Sequence, residues 1–320
     1  MPLWHTCGLP AAPPPTGPVL RTDRLTKRYG ATTAVDGLTV AVPAGLTGLV
    51  GANGAGKTTL FRMLLGLTRP DSGTVEVVGR SVAADPVGIR ARIGYMPEHD
   101  CLPTDQSAAD VVATLGELGG VPPRAARQRA SDVLDLVGLD EARFRPIEGF
   151  STGMRQRTKL AQALVGDPAL VLLDEPTAGL DPIGRAEMLD LVARLGTFGV
   201  SVIVATHLLD DVAQVCTQVV MLDAGRLLVA GPTDSLLQRT GIMSVDVDGH
   251  EAVLVPALAQ RGLRAVRGET TVEVEVRGEA DIDTIRDTVA ALGLPLNRLS
   301  SRHASLDDLF VPPAEAQPTP

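Results

Sequence analysis

Cysteine, aromatic side chains and positive charge are all scarce in this chain. Its three cysteines, Cys7, Cys101 and Cys216, lie far apart and form no C-x-x-C pair. That excludes a disulfide framework and a cysteine-based zinc site, and makes a reducing cytoplasm the expected setting. Acidic residues outnumber basic ones, 38 to 29, for a formal net charge of -9. No global basic field exists to draw in a polynucleotide, so no nucleic-acid partner is expected. The longest apolar runs, around residues 169–173 and 200–205, fall far short of the roughly 18–20 residues that a membrane-spanning helix needs. The chain is not expected to cross a bilayer by itself. No basic start followed by an apolar core marks a secretory signal. Pro10, Pro13, Pro14, Pro15 and Pro18 instead make residues 1–18 an expected flexible tail of polyproline character.

What the chain does have is a phosphate loop. Gly51, Ala52, Asn53, Gly54, Ala55, Gly56, Lys57, Thr58 and Thr59 satisfy G-x-x-x-x-G-K-[ST]. The apolar run Leu46-Thr47-Gly48-Leu49-Val50 precedes the loop, and the helical pattern Leu60-Phe61-Arg62-Met63-Leu64-Leu65 follows it. Strand, loop and helix in that order are the setting such a loop requires. The glycines let backbone N–H groups wrap an anion, and the helix N-terminus adds partial positive charge. Lys57 supplies a cation for the outer phosphates, and Thr58 supplies a hydroxyl for Mg²⁺.

A second chemical element lies far along the chain. Leu170-Val171-Leu172-Leu173-Asp174-Glu175 is an apolar run ending in two carboxylates, placed where open α/β sheets bind ligands, at a strand's C-terminal edge. Asp174 suits Mg²⁺, and Glu175 suits the orientation of an attacking water.

Short β-type runs alternating with amphipathic helices predict an α/β fold with a largely parallel sheet, with strands over 48–50, 170–173, 201–205 and 219–222. Helices are predicted over 108–118 and 124–137, within a helical insertion at about 102–165. The first domain is expected to span 19–240. Beyond it, 241–311 shows two β-α-β patterns in tandem, the first strand near Ser244-Val245-Asp246-Val247-Asp248-Gly249 and its echo at Thr271-Val272-Glu273-Val274-Glu275-Val276. Helices are expected from Pro256 to Arg261 and from Ile282 to Leu292. This pattern predicts a small ferredoxin-like α+β module with a structural or regulatory role, followed by a short tail at 312–320.

With these motifs in this order, the chain resembles the ATP-binding cassette of ABC transporters, across roughly residues 19 to 240. Phe150-Ser151-Thr152-Gly153-Met154-Arg155-Gln156-Arg157 is similar to the family's signature motif, with Phe150, Thr152 and Met154 departing from Leu-Ser-Gly-Gly-Gln. The resemblance implies a RecA-like phosphate-loop fold with a helical subdomain, and ATP and Mg²⁺ as ligands. In it, Ser151 and Gly153 would contact ATP held by the opposite subunit of a head-to-tail dimer. Thr177-Ala178-Gly179-Leu180-Asp181 resembles the D-loop, His207 the switch histidine, and Tyr29 the aromatic that stacks on adenine. Glu98, in Gly94-Tyr95-Met96-Pro97-Glu98, falls where the family has the Q-loop glutamine, and a carboxylate there could still ligate Mg²⁺.

The implied function is that of an ATP-hydrolysing subunit that powers a separate transmembrane permease, of exporter or multidrug type given the ending Ser305-Leu306-Asp307-Asp308-Leu309-Phe310. It would work as a homodimer peripheral to the inner face of the membrane. The alternatives are a soluble ABC-type ATPase of translation or DNA repair and a regulatory nucleotide-binding protein. A single phosphate loop, without heptads or metal-spaced cysteines, weighs against the first, and Glu175 against the second.

Overall fold

The computed structural model describes residues 17–238, 242–268, 270–276 and 278–301. Most of the expected N-terminal tail, the tail at 312–320, the Ser305 to Phe310 ending and Cys7 lie outside them. Contacts divide the chain into two compact units between Pro232 and Thr233, earlier than the boundary expected at 240. The reason is local: one strand of the first unit runs up to Pro232, and a helix begins at Thr233.

The first unit opens with β1 (Leu20–Tyr29) and β2 (Thr32–Val42), followed by β3 (Leu46–Val50), α1 (Lys57–Leu64), β4 (Ser72–Val77), β5 (Arg80–Ser81) and α2 (Pro86–Arg90). Then come β6 (Ile93–Met96), α3 (Ala108–Leu118), α4 (Pro123–Leu136) and α5 (Thr152–Leu164). It closes with β7 (Leu170–Asp174), α6 (Pro182–Thr197), β8 (Ser201–Thr206), α7 (Leu209–Val215), β9 (Gln218–Asp223) and β10 (Arg226–Pro232).

Six strands form the central sheet in the order β10-β9-β3-β8-β7-β6, parallel throughout except for the edge strand β10. Every residue of β3, β7 and β8 is buried, which is why these strands read as continuous apolar runs rather than alternating ones. A second, antiparallel sheet, β2-β1-β4-β5, was not foreseen from the sequence. Leu25, Val35 and Leu38 from it, Leu60 and Phe61 from α1, and Leu172, Ile203 and Leu222 from the central sheet share one core.

Register fixes where the chemistry emerges. Val50 pairs with Thr206, Asp174 with Ala205, and Met96 with Leu173. The C-terminal ends of four parallel strands therefore share one edge, and residues 51–59, Glu98, Glu175 and His207 all follow it. α3, α4 and α5 pack on one another as the expected helical segment, with Val112, Leu134, Ile147 and Leu160 buried.

The second unit contains α8 (Thr233–Gln238), β11 (Ile242–Asp246), α9 (Glu251–Gln260), β12 (Ala265–Arg267), β13 (Val272–Glu275), α10 (Glu279–Ala291) and β14 (Arg298–Ser301). Its sheet runs β12-β13-β11-β14 with antiparallel neighbours, the split β-α-β arrangement of a ferredoxin-like module. Val245, Leu254, Leu258, Val272, Val274 and Ile285 form its core. Helix α9 starts before Pro256, which lies inside it. A proline is favoured in a first helical turn rather than in a helix interior, and here five helical residues, Glu251 to Val255, precede it.

Candidate functional site

Between β3 and α1 the chain makes a turn that depends on glycine at two points. Gly56 has φ of +99°, and a Cβ there would sit 2.3 Å from the Ala34 carbonyl oxygen. At Gly51 a Cβ would lie 2.6 Å from the Leu222 carbonyl oxygen. No side chain fits at either place, so the loop lies close to its neighbours and α1 starts directly from it. A cleft is lined by Ala34, by Ala52, Asn53, Gly54, Ala55, Gly56, Lys57, Thr58 and Thr59, and by Glu98, Asp174 and Glu175.

Within the cleft, the 7% exposed Lys57 donates from Nζ to the Gly51 carbonyl at 2.5 Å. The same ammonium stands 3.5 Å from Glu175 Oε1. Thr58 Oγ1 donates to Asp174 Oδ2 at 3.1 Å. Asp174 is 1% exposed, and its Oδ1 is a buried oxygen with no hydrogen-bond partner. Burial pushes the Asp174 carboxyl above its ordinary range; the Thr58 hydrogen bond opposes this and the charges of Glu98 and Glu175 add to it. The Tyr95 hydroxyl is 3.5 Å from Asp174 Oδ2, and burial, helped by that carboxylate, pushes the phenol up to about 12.

The orphan oxygen and the Thr58 hydroxyl are donors that fit a hard divalent cation. Among the described residues no three His, Cys, Asp or Glu side chains group closely enough to hold a metal alone. A cation bound here would complete its shell with phosphate oxygens and water.

Glu175 sits one residue beyond β7 with φ of +49°, an uncommon conformation for a residue with a side chain, of the kind held in place at working sites. Its N–H donates to the Ala205 carbonyl at 2.8 Å, and its own carbonyl accepts from Ala178 N–H at 3.1 Å. The carboxylate meets His207 Nδ1 at 3.0 Å.

Other expected residues stand apart from this cleft. Ser151 and Gly153 do not line it. Ser151 is exposed and caps α5, its hydroxyl accepting from Met154 N–H at 3.3 Å. Asp181 caps α6 through Gly184 N–H at 2.8 Å. Tyr29 is 47% exposed, with Lys27 Nζ 5.4 Å from its ring centre.

Three side chains with no role of their own in the sequence reading tie these pieces together. Asp211, 2% exposed on α7, accepts from Thr177 Oγ1 at 2.7 Å and from Arg185 Nε at 2.5 Å. Gln156 donates to the Ala178 carbonyl at 3.1 Å, and Lys159 to the Glu98 carbonyl at 2.8 Å. Gln156 lies within the signature-like segment, but no local pattern announces the partner of any of the three.

The chain matches the family model described as ABC transporter over residues 35–178. It is 33% identical over 300 residues to the Nod factor export ATP-binding protein I of Ralstonia nicotianae, spanning 92% of this chain and 93% of that protein. To the daunorubicin/doxorubicin resistance ATP-binding protein of Streptomyces peucetius it is 36% identical over 301 residues, spanning 91% of each. Among solved structures, cbiO1 from Clostridium perfringens, part of the ABC transporter complex cbiONQ, aligns with a TM-score of 0.63 at 27% identity, covering 69% of this chain and 91% of that one. A dimeric ATP-binding cassette in a post-hydrolysis state, bound to ADP and Pi, aligns with a TM-score of 0.61 at 21% identity, covering 67% of this chain and 98% of that one, a likeness of fold.

Proposed function

This chain belongs to the ATP-binding proteins of the ABC transporter family and is an ATPase, and we propose that it powers a separate transmembrane permease of the export type. The observation that carries the export reading is the length of the likeness. Relatives named for Nod factor export and for daunorubicin resistance align over nine-tenths of both chains. The similarity therefore runs past the cassette into the C-terminal module. None of the described helices is long and apolar enough to cross a membrane. The permease would hold this chain at the inner face of the membrane, and its cavity would select the cargo.

In this reading the phosphate loop and Lys57 hold the ATP phosphates. Thr58 and Asp174 would hold Mg²⁺, with Glu98, which lines the same cleft, as a further ligand. Mg²⁺ bound there would supply charge neutralisation to the phosphates. Glu175 accepts a hydrogen bond from the attacking water and orients it, while His207 fixes the Glu175 carboxylate from the side. Phosphoryl transfer asks the protein mostly for positioning and electrostatic stabilisation, which these residues are arranged to give.

A second copy completes the site. Ser151 and Gly153 lie at the N-terminus of α5, outside the cleft of their own chain, and would meet the ATP of a partner in a head-to-tail homodimer. Asp181 would lie along that junction, and Tyr29 would stack on the adenine. ATP binding closes the pair, and hydrolysis releases it.

The test is a pull-down of tagged Glu175→Gln protein with Mg-ATP from detergent-solubilised membranes of the native host, against a Lys57→Ala control. A polytopic membrane protein recovered in stoichiometric amount supports the reading. Recovery of ribosomal or DNA-repair proteins alone contradicts it.

A further inference from the structure

The phosphate cleft carries three carboxylates, Glu98, Asp174 and Glu175, but among the described residues Lys57 is the only cation in its lining. Family resemblance leads to glutamine at position 98, so Glu98 adds a negative charge. A second cation lies just behind. Lys159, on α5, is 1% exposed. Its hydrogen bond goes to the backbone carbonyl of Glu98, at 2.8 Å, rather than to a carboxylate. Besides the burial that disfavours its charge, Lys159 feels the charges of Asp100, Glu98 and Asp174. A buried ammonium is costly unless opposite charge compensates it. Here that opposite charge lies at Asp100, Glu98 and Asp174; the ammonium and Asp174 are buried, which weakens screening between them, while Glu98 and Asp100 are exposed.

We propose that Lys159 is a positioning residue that anchors the Glu98 backbone and offsets, from behind the cleft, the extra carboxylate that Glu98 brings to the nucleotide site. The inference rests on the reading that ATP phosphates occupy this cleft. It separates from a plain anchoring role on one point. A lysine that merely tethers a carbonyl is indifferent to the side chain at position 98, whereas a counter-charge is not.

The experiment is equilibrium binding of a fluorescent ATP analogue in EDTA to five full-length proteins: the unchanged chain, Lys159→Met, Lys159→Arg, Glu98→Gln and the double variant Lys159→Met/Glu98→Gln. Without metal, an uncompensated carboxylate acts directly on the triphosphate. Lys159→Met is expected to weaken binding about tenfold, roughly 1.4 kcal/mol, in the Glu98 background. In the Glu98→Gln background the loss should be less than about threefold. Lys159→Arg keeps the charge and should bind like the unchanged chain.

Equal losses in both backgrounds overturn the counter-charge role. No loss in either overturns the inference altogether. Lys57→Ala, run alongside, separates the two levels: if it too binds normally, the nucleotide reading of the cleft has failed. If Lys159→Met alone does not fold, thermal melts decide. A cooperative transition restored by adding Glu98→Gln supports the proposal, and an unfolded double variant contradicts it.

Discussion

His207 Nδ1 lies 3.0 Å from Glu175 Oε2, so the residue that opens the turn into α7 is bound to the residue that leaves β7. The adjacent parallel strands β7 and β8 produce this contact, since Asp174 pairs with Ala205 and each functional residue follows its strand end. With Lys57 Nζ 3.5 Å from the other carboxylate oxygen, Glu175 is held from two sides in a left-handed backbone conformation. Such constraint suits a group that must aim at a water rather than merely carry charge.

Replacing Glu175 by Gln keeps the shape and removes the charge. ATP binding should persist while turnover falls by about a hundredfold or more. Phosphate release under single-turnover conditions reads this, and undiminished turnover would remove Glu175 from the water.

Lys57→Ala takes away a cation that lines the cleft. ATP affinity should fall more than about tenfold, equivalent to over about 1.4 kcal/mol, with a melting transition that stays cooperative. Titration with a fluorescent nucleotide measures it, and unchanged affinity contradicts the role.

Asp211 is 2% exposed and accepts hydrogen bonds from both Thr177 and Arg185. Alanine there leaves Thr177, itself 3% exposed, and the guanidinium without their acceptor. We expect a loss of about 2 kcal/mol in urea unfolding, with Asp211→Asn, which retains an acceptor, losing less. Equal stability of all three proteins would show that the bridge contributes nothing.

The Asp174 carboxyl is raised above 3.8, chiefly by burial. The folded chain therefore holds this proton more tightly than the unfolded one. Its contribution to stability is present below 3.8 and is lost as pH rises through the raised value. Asp174→Asn should flatten that part of the stability-against-pH curve of the nucleotide-free protein. Mg²⁺ competes with the same proton, so its affinity should rise with pH over the same window. Urea midpoints across the acid range, compared between the two proteins, check the first statement.

How much of this could be read in the sequence depended on contiguity. Residues 51–59, the pair Asp174 and Glu175, and the run Ser201 to Ala205 each announce themselves within a few positions, and the fully buried strands are unbroken apolar stretches. β1 does not: Arg21, Asp23, Arg24 and Lys27 interrupt its apolar residues, and register shifts between Thr22 and Leu25 and again before Lys27 break the two-residue period. The second antiparallel sheet went unread for that reason. Lys159 meets Glu98 across 61 positions and Thr177 meets Asp211 across 34. No local pattern predicts such pairs, because only the packing of α5 and α7 on the core brings them together.

We propose that the cleft of one chain is completed by Ser151 and Gly153 of a second. Light scattering on purified Glu175→Gln protein tests it most directly, with and without Mg-ATP, beside the same protein carrying Gly153→Asp. We expect a shift from monomer to dimer on adding ATP and no shift in the Gly153→Asp version. A mass that stays monomeric at saturating ATP, or a dimer indifferent to Gly153→Asp, would contradict it.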